Sequence, residues 1–417
     1  MFAKPKKVIG LDIGSHSVKA VQMSRSGGRL YVDEAGFALV DRSQANVDPV
    51  LAHSMAVRDA ILSMPVAQCM VVGALAGQTA VIRYPRLVDT PPEQMDLAVQ
   101  REAGQNIPYD LAEVFLDWTL LSEVDEGDHR QIKILLVAAK HEVIDARLQI
   151  LNAADVQPTV LGVDSLALAD AAEACGFLNM GETVALINIG LSSASIHFVK
   201  DGVSNFIRDV SWGARELIQA IAKDRRVDFE EAERLLLQVG QEQQDAPPPP
   251  PVAPVYKNLD DVPTALPVND DPFGEPLSGI GTGGSLLDPL EDEMGLGALA
   301  APQGKRGPVG TVQPDLRDVL TAPMNRMVSE IRRSFDYYEH QLYERPVDRI
   351  ILSGGVSHLP LLRATLLEEL GLEHVEVADP SNSALFMGDE GGIRELRVQP
   401  SSFMVAIGLA ARGMAEL

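Results

Sequence analysis

The sequence predicts an α/β protein of two related lobes, with an αβ subdomain inserted in the first lobe and a long disordered insert in the second. Three observations predict it. Residues 8–13 (VIGLDI) and 18–23 (VKAVQM) read as strands around the turn Gly14-Ser15-His16-Ser17. Residues 184–189 (VALINI) and 195–199 (SIHFV) repeat that design around Gly190-Leu191-Ser192-Ser193. A buried strand, Arg349–Ser353, then runs through Gly354-Gly355 into a helix over Leu359–Leu370.

The remaining elements follow in order. Tyr31–Val40 reads as a third strand and 48–64 as a helix. Strands follow at Ala67–Leu75 and Thr79–Tyr84. Pro91-Pro92 opens a helix over Glu93–Gln105, since proline is tolerated in a first turn. Val114–Ser122 and Gln131–Ala139 alternate as strands, with a helix over Glu142–Asn152 and a strand at Thr159–Val163. In the second half, 211–223 and 228–239 read as helices. From 241 to about 310 the composition changes: thirteen of the 27 prolines fall between Pro247 and Pro308, and acidic residues outnumber basic ones there. Such a stretch buries too little apolar surface to offset chain entropy, so disorder is expected. A long helix over 316–342, a strand at His374–Ala378 and a last helix at Met404–Met414 complete the chain.

Composition sets the setting. The 417 residues are 46% hydrophobic and carry a formal net charge of −24, which argues against nucleic acid as a partner. Cys69 and Cys175 are too few for a disulfide framework and read as small buried hydrophobes, as expected in a reduced cytoplasmic protein. No run of about 18 apolar residues spans a membrane, and no leader or membrane-surface helix is expected at the ends.

The two hairpins suit a phosphate cradle. Turn glycines let backbone N–H groups approach an anion, and turn serines add donors. Asp12, at the end of the leading strand, suits Mg²⁺ held through its water shell, and Lys19 adds positive charge. Gly354-Gly355 suits the close passage of backbone past a flat nucleoside. Each piece alone equally fits an ordinary hairpin or turn; their order and duplication is the specific signal.

With those residues quoted, the chain resembles the actin, sugar-kinase and chaperone ATPase superfamily, and within it the PilM family of type IV pilus assembly, related to the division protein FtsA. The resembling stretches include VIGLDIGSHSVKAVQM, QREAGQNIPYDLAEVFLDW, FEEAERL, EIRRSFDYYEHQ, ILSGGVSHLPLL and VAIGLAAR. The resemblance implies an actin-like ATPase fold. It divides the chain into a first lobe (1–84), the inserted subdomain (85–160), a connecting helix (161–183), the second lobe (184–240 and 313–400), the acidic insert (241–312) and a terminal helix returning to the first lobe (401–417). It implies ATP and Mg²⁺ as ligands. Asp12, Gly14, Ser15, Ser17 and Lys19 match the first phosphate motif, and Asn188, Gly190, Ser192 and Ser193 the second. Gly213 and Glu216 match a region near the ribose and last phosphate, Glu233 a base contact, and Gly354, Gly355 and Val356 the adenosine turn. Asp164 stands where relatives orient the attacking water.

Two departures bear on turnover. An aspartate of the second phosphate motif is Asn188 here, and a base-contacting lysine is Leu236. Binding with weak or absent hydrolysis is therefore expected. As partners, the resemblance implies the N-terminal cytoplasmic tail of a PilN-type inner-membrane protein, held in a groove between the insert and the first lobe. It also implies the pilus motor ATPases and platform protein, attachment to the inner membrane only through partners, and leaves a homo-oligomer or ring open. The alternatives are an FtsA-like division protein, which needs a membrane helix at its C-terminus, and a small-molecule kinase, which needs a catalytic base that does not stand out. His16 reads as a satisfied turn histidine, His197 as a packing residue, and Trp118 and Trp212 as core or edge anchors. The acidic cluster Asp288–Glu293 reads as a solvated run, and Pro247–Pro251 as a spacer.

Overall fold

The computed structural model describes residues 6–126, 129–245 and 315–417. The chain opens with β1 (Lys7–Ile13), β2 (Ser17–Ser26) and β3 (Arg29–Leu39), an antiparallel meander. Helices α1 (Arg42–Ala45) and α2 (Pro49–Ala60) follow, each started by an aspartate, Asp41 or Asp48, that accepts a first-turn N–H. Strand β4 (Cys69–Leu75) then lies parallel to β1.

The inserted subdomain comprises β5 (Ala80–Arg83), β6 (Arg86–Val88), α3 (Met95–Asn106), β7 (Val114–Glu126) and β8 (His129–Lys140). β8 is its hub, pairing antiparallel with β5, β6 and β7. Strand alternation sends Ile132, Ile134, Leu136 and Ala138 to one face, where they pack with Val99 and Ala103 of α3. The chain returns through α4 (His141–Ala153), β9 (Val160–Val163) and α5 (Asp164–Ala174).

The second lobe repeats the first. β10 (Thr183–Ile189), β11 (Ala194–Lys200) and β12 (Val203–Val210) form the meander. Helices α6 (Ala214–Arg225), α7 (Phe229–Asp245) and α8 (Leu316–Asp336) cover it, and α8 ends in a π-helical turn at Tyr337–Gln341. β13 (Arg349–Ser353) runs parallel to β10; α9 (Pro360–Leu370) and β14 (Val375–Val377) follow. The chain crosses back through β15 (Phe386–Met387), α10 (Arg394–Val398) and α11 (Met404–Glu416).

The duplication is explicit in the sheets. The orders β3-β2-β1-β4-β9 and β12-β11-β10-β13-β14 correspond strand for strand, in sense as well as order. α5 and α11 lie between the two sheets and share a core with Val8, Val21 and Val72 of one and Val184, Leu186 and Ile351 of the other. Their approach is close: a Cβ on Gly408 of α11 would overlap the Ala167 carbonyl oxygen of α5. Burial of this apolar seam stabilises the pairing of the lobes, at about 25 cal/mol per Å² removed from water.

Several borders differ from the sequence expectation. Ala80–Arg83 join the insert's sheet by pairing with Leu136–Ala139. α4 and β9 belong to the first lobe, since Leu151, Ala154 and Val156 fill its core and β9 extends β4. The stretch 85–160 thus contracts to 80–140. Part of 313–400 also returns to the first lobe, where β15 pairs with β3 and α10 packs on it. The expected insert 241–312 lies outside the described residues, including Pro247–Pro251 and Asp288–Glu293, except that 241–245 complete α7. Cys175 is buried as expected, whereas Cys69 is half-exposed at the start of β4. Among the described residues no helix is long and apolar enough to cross a membrane.

Candidate functional site

The β1–β2 and β10–β11 turns are built alike. In each, the glycine N–H closes the turn onto a serine carbonyl: Gly14 onto Ser17 at 3.1 Å and Gly190 onto Ser193 at 2.9 Å. The tips meet, with the Ser15 and Ser192 hydroxyls hydrogen-bonded at 3.0 Å across the lobes. The register places Asp12 opposite Lys19 in the first hairpin and Asn188 opposite Ser195 in the second.

Charge differs between the hairpins. Lys19 Nζ lies 3.3 Å from Asp12 Oδ2, both largely shielded. The Asn188 amide oxygen accepts from the Ser353 hydroxyl at 3.1 Å, which ties the second hairpin to the strand leading into Gly354. Gly354 sits at φ +94°, and a Cβ there would overlap the Ile189 carbonyl, so the turn presses on the root of the second hairpin. Gly355 faces open space. Val356 instead enters the second-lobe core, as does Leu236, so neither side chain reaches a ligand between the lobes.

Helix α6 begins at the second turn. Ala214 and Arg215 donate their N–H groups to the Gly190 and Leu191 carbonyls at 2.9 Å each, and a Cβ on Gly213 would overlap those same carbonyls. The Arg215 guanidinium donates to the Ser192 hydroxyl at 3.1 Å. Glu216 points away, toward Arg326 of α8 at 4.0 Å.

Asp164 stands at the start of α5 and accepts the Gly77 N–H at 2.7 Å. Burial, with Asp209 and Asp12 nearby, pushes its carboxyl up to about 7. Asp209 is likewise raised by burial while accepting the Ser195 hydroxyl at 2.5 Å. Arg147 of α4 donates to the Ile13 carbonyl at 3.2 Å and feels both Asp12 and Asp164. His197 is buried between the Ser165 carbonyl (2.9 Å) and the Ser204 hydroxyl (2.8 Å), a hydrogen-bonded position in the core.

A second contact joins the lobes at the edge of the hairpins. Arg42 stacks its guanidinium 3.4 Å from the Phe229 ring centroid and lies 3.6 Å from Glu233. His16 Nε2 lies 3.4 Å from the same carboxylate. Burial, then Arg42 and Lys19, push His16 down to about 4, so the ring is neutral at pH 7. Glu233, expected at a base, is thus held by first-lobe groups. A cation–π contact of this kind contributes about 1 kcal/mol, and the part-exposed ion pair less. Arg42→Ala is therefore expected to raise hydrogen exchange in the first turns of α7 by roughly tenfold. Unchanged exchange would show that the contact does not hold the helix.

Sequence patterns placed the glycines and serines of both turns but missed Arg42, Arg147 and Arg215. None lies in a phosphate motif, and each reaches the site from a helix.

A second feature is an apolar groove of about 690 Å³ between the insert and the first lobe. Its floor is the insert's outward sheet face, where Phe115, Asp117 and Thr119 of β7 register with Ala139, Val137 and Leu135 of β8. Its far wall is β9, Leu166 of α5 and Leu409 of α11, with Asp170, Arg412 and Glu416 at the rim. Trp118 lines the groove too, its indole N–H directed at Asp96 (3.3 Å). Trp212 is buried in the second-lobe core.

The chain matches the family profile described as type IV pilus assembly protein PilM over residues 10–241 and 292–414. Among solved structures it is similar to a chain of the PilM–PilN type IV pilus biogenesis complex, with 20% identity, 99% of each chain covered and a TM-score of 0.70. The ethanolamine utilization protein EutJ from Carboxydothermus hydrogenoformans aligns over 98% of this chain and 90% of its own, at 12% identity and a TM-score of 0.48. MreB 5 of Spiroplasma citri, bound to AMPPNP, aligns over 97% and 95%, at 11% identity and 0.43. The duplicated sheets and the first of these likenesses identify the fold as actin-like. On the span of the profile match, the chain belongs to the PilM family of type IV pilus assembly proteins.

Proposed function

We propose that this chain is a cytoplasmic, ATP-binding scaffold of the type IV pilus assembly machine whose groove receives the N-terminal tail of a PilN-type inner-membrane protein. The groove carries the reading. It offers apolar positions on a sheet face, Phe115, Leu135, Val137 and Ala139, interrupted by Asp117 and Thr119, a wall from another subdomain, and further charged groups at the rim. Attachment to the inner membrane runs through that partner. Contacts with the motor ATPases and platform protein, and assembly into a ring, belong to the same reading.

The paired turns fit a nucleotide. Gly355 leaves room where a side chain would intrude, and the serine hydroxyls meet at one point between the hairpins. Asp12 would hold Mg²⁺ through water, with Gly14, Ser15, Ser17 and Lys19 on one side of the phosphates. Asn188, Gly190, Ser192, Ser193 and Gly213 would serve the other. When bound, Mg²⁺ would neutralise phosphate charge. Glu216 and Glu233 are held by arginines, so a ligand contact there requires those pairs to open. Turnover should be slow. Asn188 supplies no charge, and the Asp164 carboxyl is occupied by the Gly77 N–H.

The test titrates the full chain with a labelled synthetic peptide of a PilN-type tail. Val137→Asp places a charge on the groove floor at a half-exposed position, where it should lower peptide affinity at least about thirtyfold, the loss of one apolar anchor worth roughly 2 kcal/mol. The new carboxylate stands opposite Asp117, so melting temperature should fall by a few degrees, while nucleotide affinity stays as in wild type. Equal peptide affinity in the two proteins would sink the groove assignment. Brisk phosphorylation of a small alcohol would sink the scaffold reading.

A further inference from the structure

Among the described residues, Lys19, Arg147, Arg42 and Arg215 bring positive charge to the two turns, and three of them are spoken for. Lys19 pairs with Asp12. Arg147 bonds the Ile13 carbonyl and lies in the field of Asp12 and Asp164. Arg42 faces Glu233 and stacks on Phe229. Arg215 is different: among the described residues its guanidinium has no carboxylate partner and donates only to the Ser192 hydroxyl. It is exposed, yet its backbone is fixed, because its N–H caps the Leu191 carbonyl. Arg42 and Arg215 are also near enough that the second charge weighs on the first. Glu233 and Glu230 answer the charge of Arg42, which leaves Arg215 as the guanidinium at this edge without a carboxylate beside it, in a chain whose net charge is −24.

The second turn has a direction. Its root, Ile189, touches the Gly354-Gly355 turn. Its tip, Ser192, touches both Ser15 of the opposite hairpin and Arg215. A phosphate chain laid from the nucleoside turn along this hairpin brings its outermost group to the tip. There a guanidinium offers a planar fork of donors that matches phosphate oxygens, with no carboxylate to displace.

We infer that Arg215 binds the terminal phosphate of the nucleotide and makes the site select the triphosphate over the diphosphate. The assignment rests on the nucleotide reading above and sharpens it. Arg215 is a binding and specificity residue, and no bond is made or broken by it.

The experiment measures equilibrium binding of fluorescent ATP and ADP, each with Mg²⁺, to the full chain as wild type, Arg215→Ala and Arg215→Lys. For Arg215→Ala, ATP affinity should fall at least tenfold while ADP affinity stays within about twofold of wild type, a difference in line with one charge-assisted pair. Arg215→Lys should keep the charge but lose the fork, and fall between the two. Retained ADP binding also reports that the variant is folded. Equal losses for ATP and ADP would overturn the assignment by placing Arg215 on the inner part of the ligand. Unchanged ATP affinity in a wild type that binds ATP would overturn it alone. Failure of the wild type to bind either nucleotide would overturn the nucleotide reading itself.

Discussion

Replacing Gly354 by alanine should remove nucleotide binding by at least about a hundredfold and destabilise the protein by roughly 3 kcal/mol or more. Two costs add. At φ +94° an L-residue is strained by about 1–3 kcal/mol. Its Cβ would also overlap the Ile189 carbonyl, so β10 and β13 would have to part at the end where Ser353 bonds Asn188. That end carries the second hairpin, and its displacement would misplace Gly190 and Ser192 together. Gly355→Ala is the companion. It has negative φ and open space, so stability should stay within about 0.5 kcal/mol of wild type. With the nucleoside against this turn, as proposed, a methyl group there would nonetheless meet it, and affinity should fall about tenfold. Thermal melts and nucleotide titrations of both variants separate the effects. If Gly355→Ala bound nucleotide as wild type does, the turn would be a structural corner only.

The contrast between these neighbouring glycines shows what sequence reading reaches. The hairpins were legible because their strands alternate and their turns carry glycine and serine at matching offsets. Which sheet a strand joins was not legible, because alternation reports a face and not a partner. Ala80–Arg83 reads equally well as first lobe or insert, and only pairing with β8 decides it. β6 and β15, three and two residues long, are too short to show any period. At the site, the glycines that allow close approach announce themselves; the arginines do not. Ser15 meets Ser192 across 177 positions of sequence, and Arg42 meets Phe229 and Glu233 across the same divide. Such contacts come from packing α5 and α11 between the lobes, which no local pattern encodes. The groove was expected from family resemblance. Its floor could have been found from the alternation of β7 and β8, whose second apolar face has no partner within the insert.

Asp164 should make the protein less stable as pH rises through the weakly acidic range. The sign follows from its two states. In the unfolded chain its pKa is about 3.9, whereas in the fold burial, Asp209 and Asp12 raise it to about 7. Below about pH 4 both states hold the proton and nothing is lost. Between about 4 and 7 the unfolded chain releases it and the fold retains it, so stability falls with pH; above 7 the loss is constant. Asp170, raised to about 6 by burial against the pull of Arg412, acts in the same direction. Asp164→Asn removes the largest of these slopes. Its amide oxygen can still accept the Gly77 N–H, it carries no charge for Asp209 and Asp12 to oppose, and only the second backbone bond, from Ser165, is put at risk. The variant should therefore match wild type near pH 4 and exceed it by about 2–4 kcal/mol at pH 8, a gain of several degrees in melting temperature. Arg147 supplies the opposing case. If its charge dominates, Asp164 is ionised in the fold, and the variant would be the less stable protein at pH 8. Melting curves at pH 5 and 8 decide between the two, and with them whether a carboxylate or a carboxylic acid stands beside Asp12 at neutral pH.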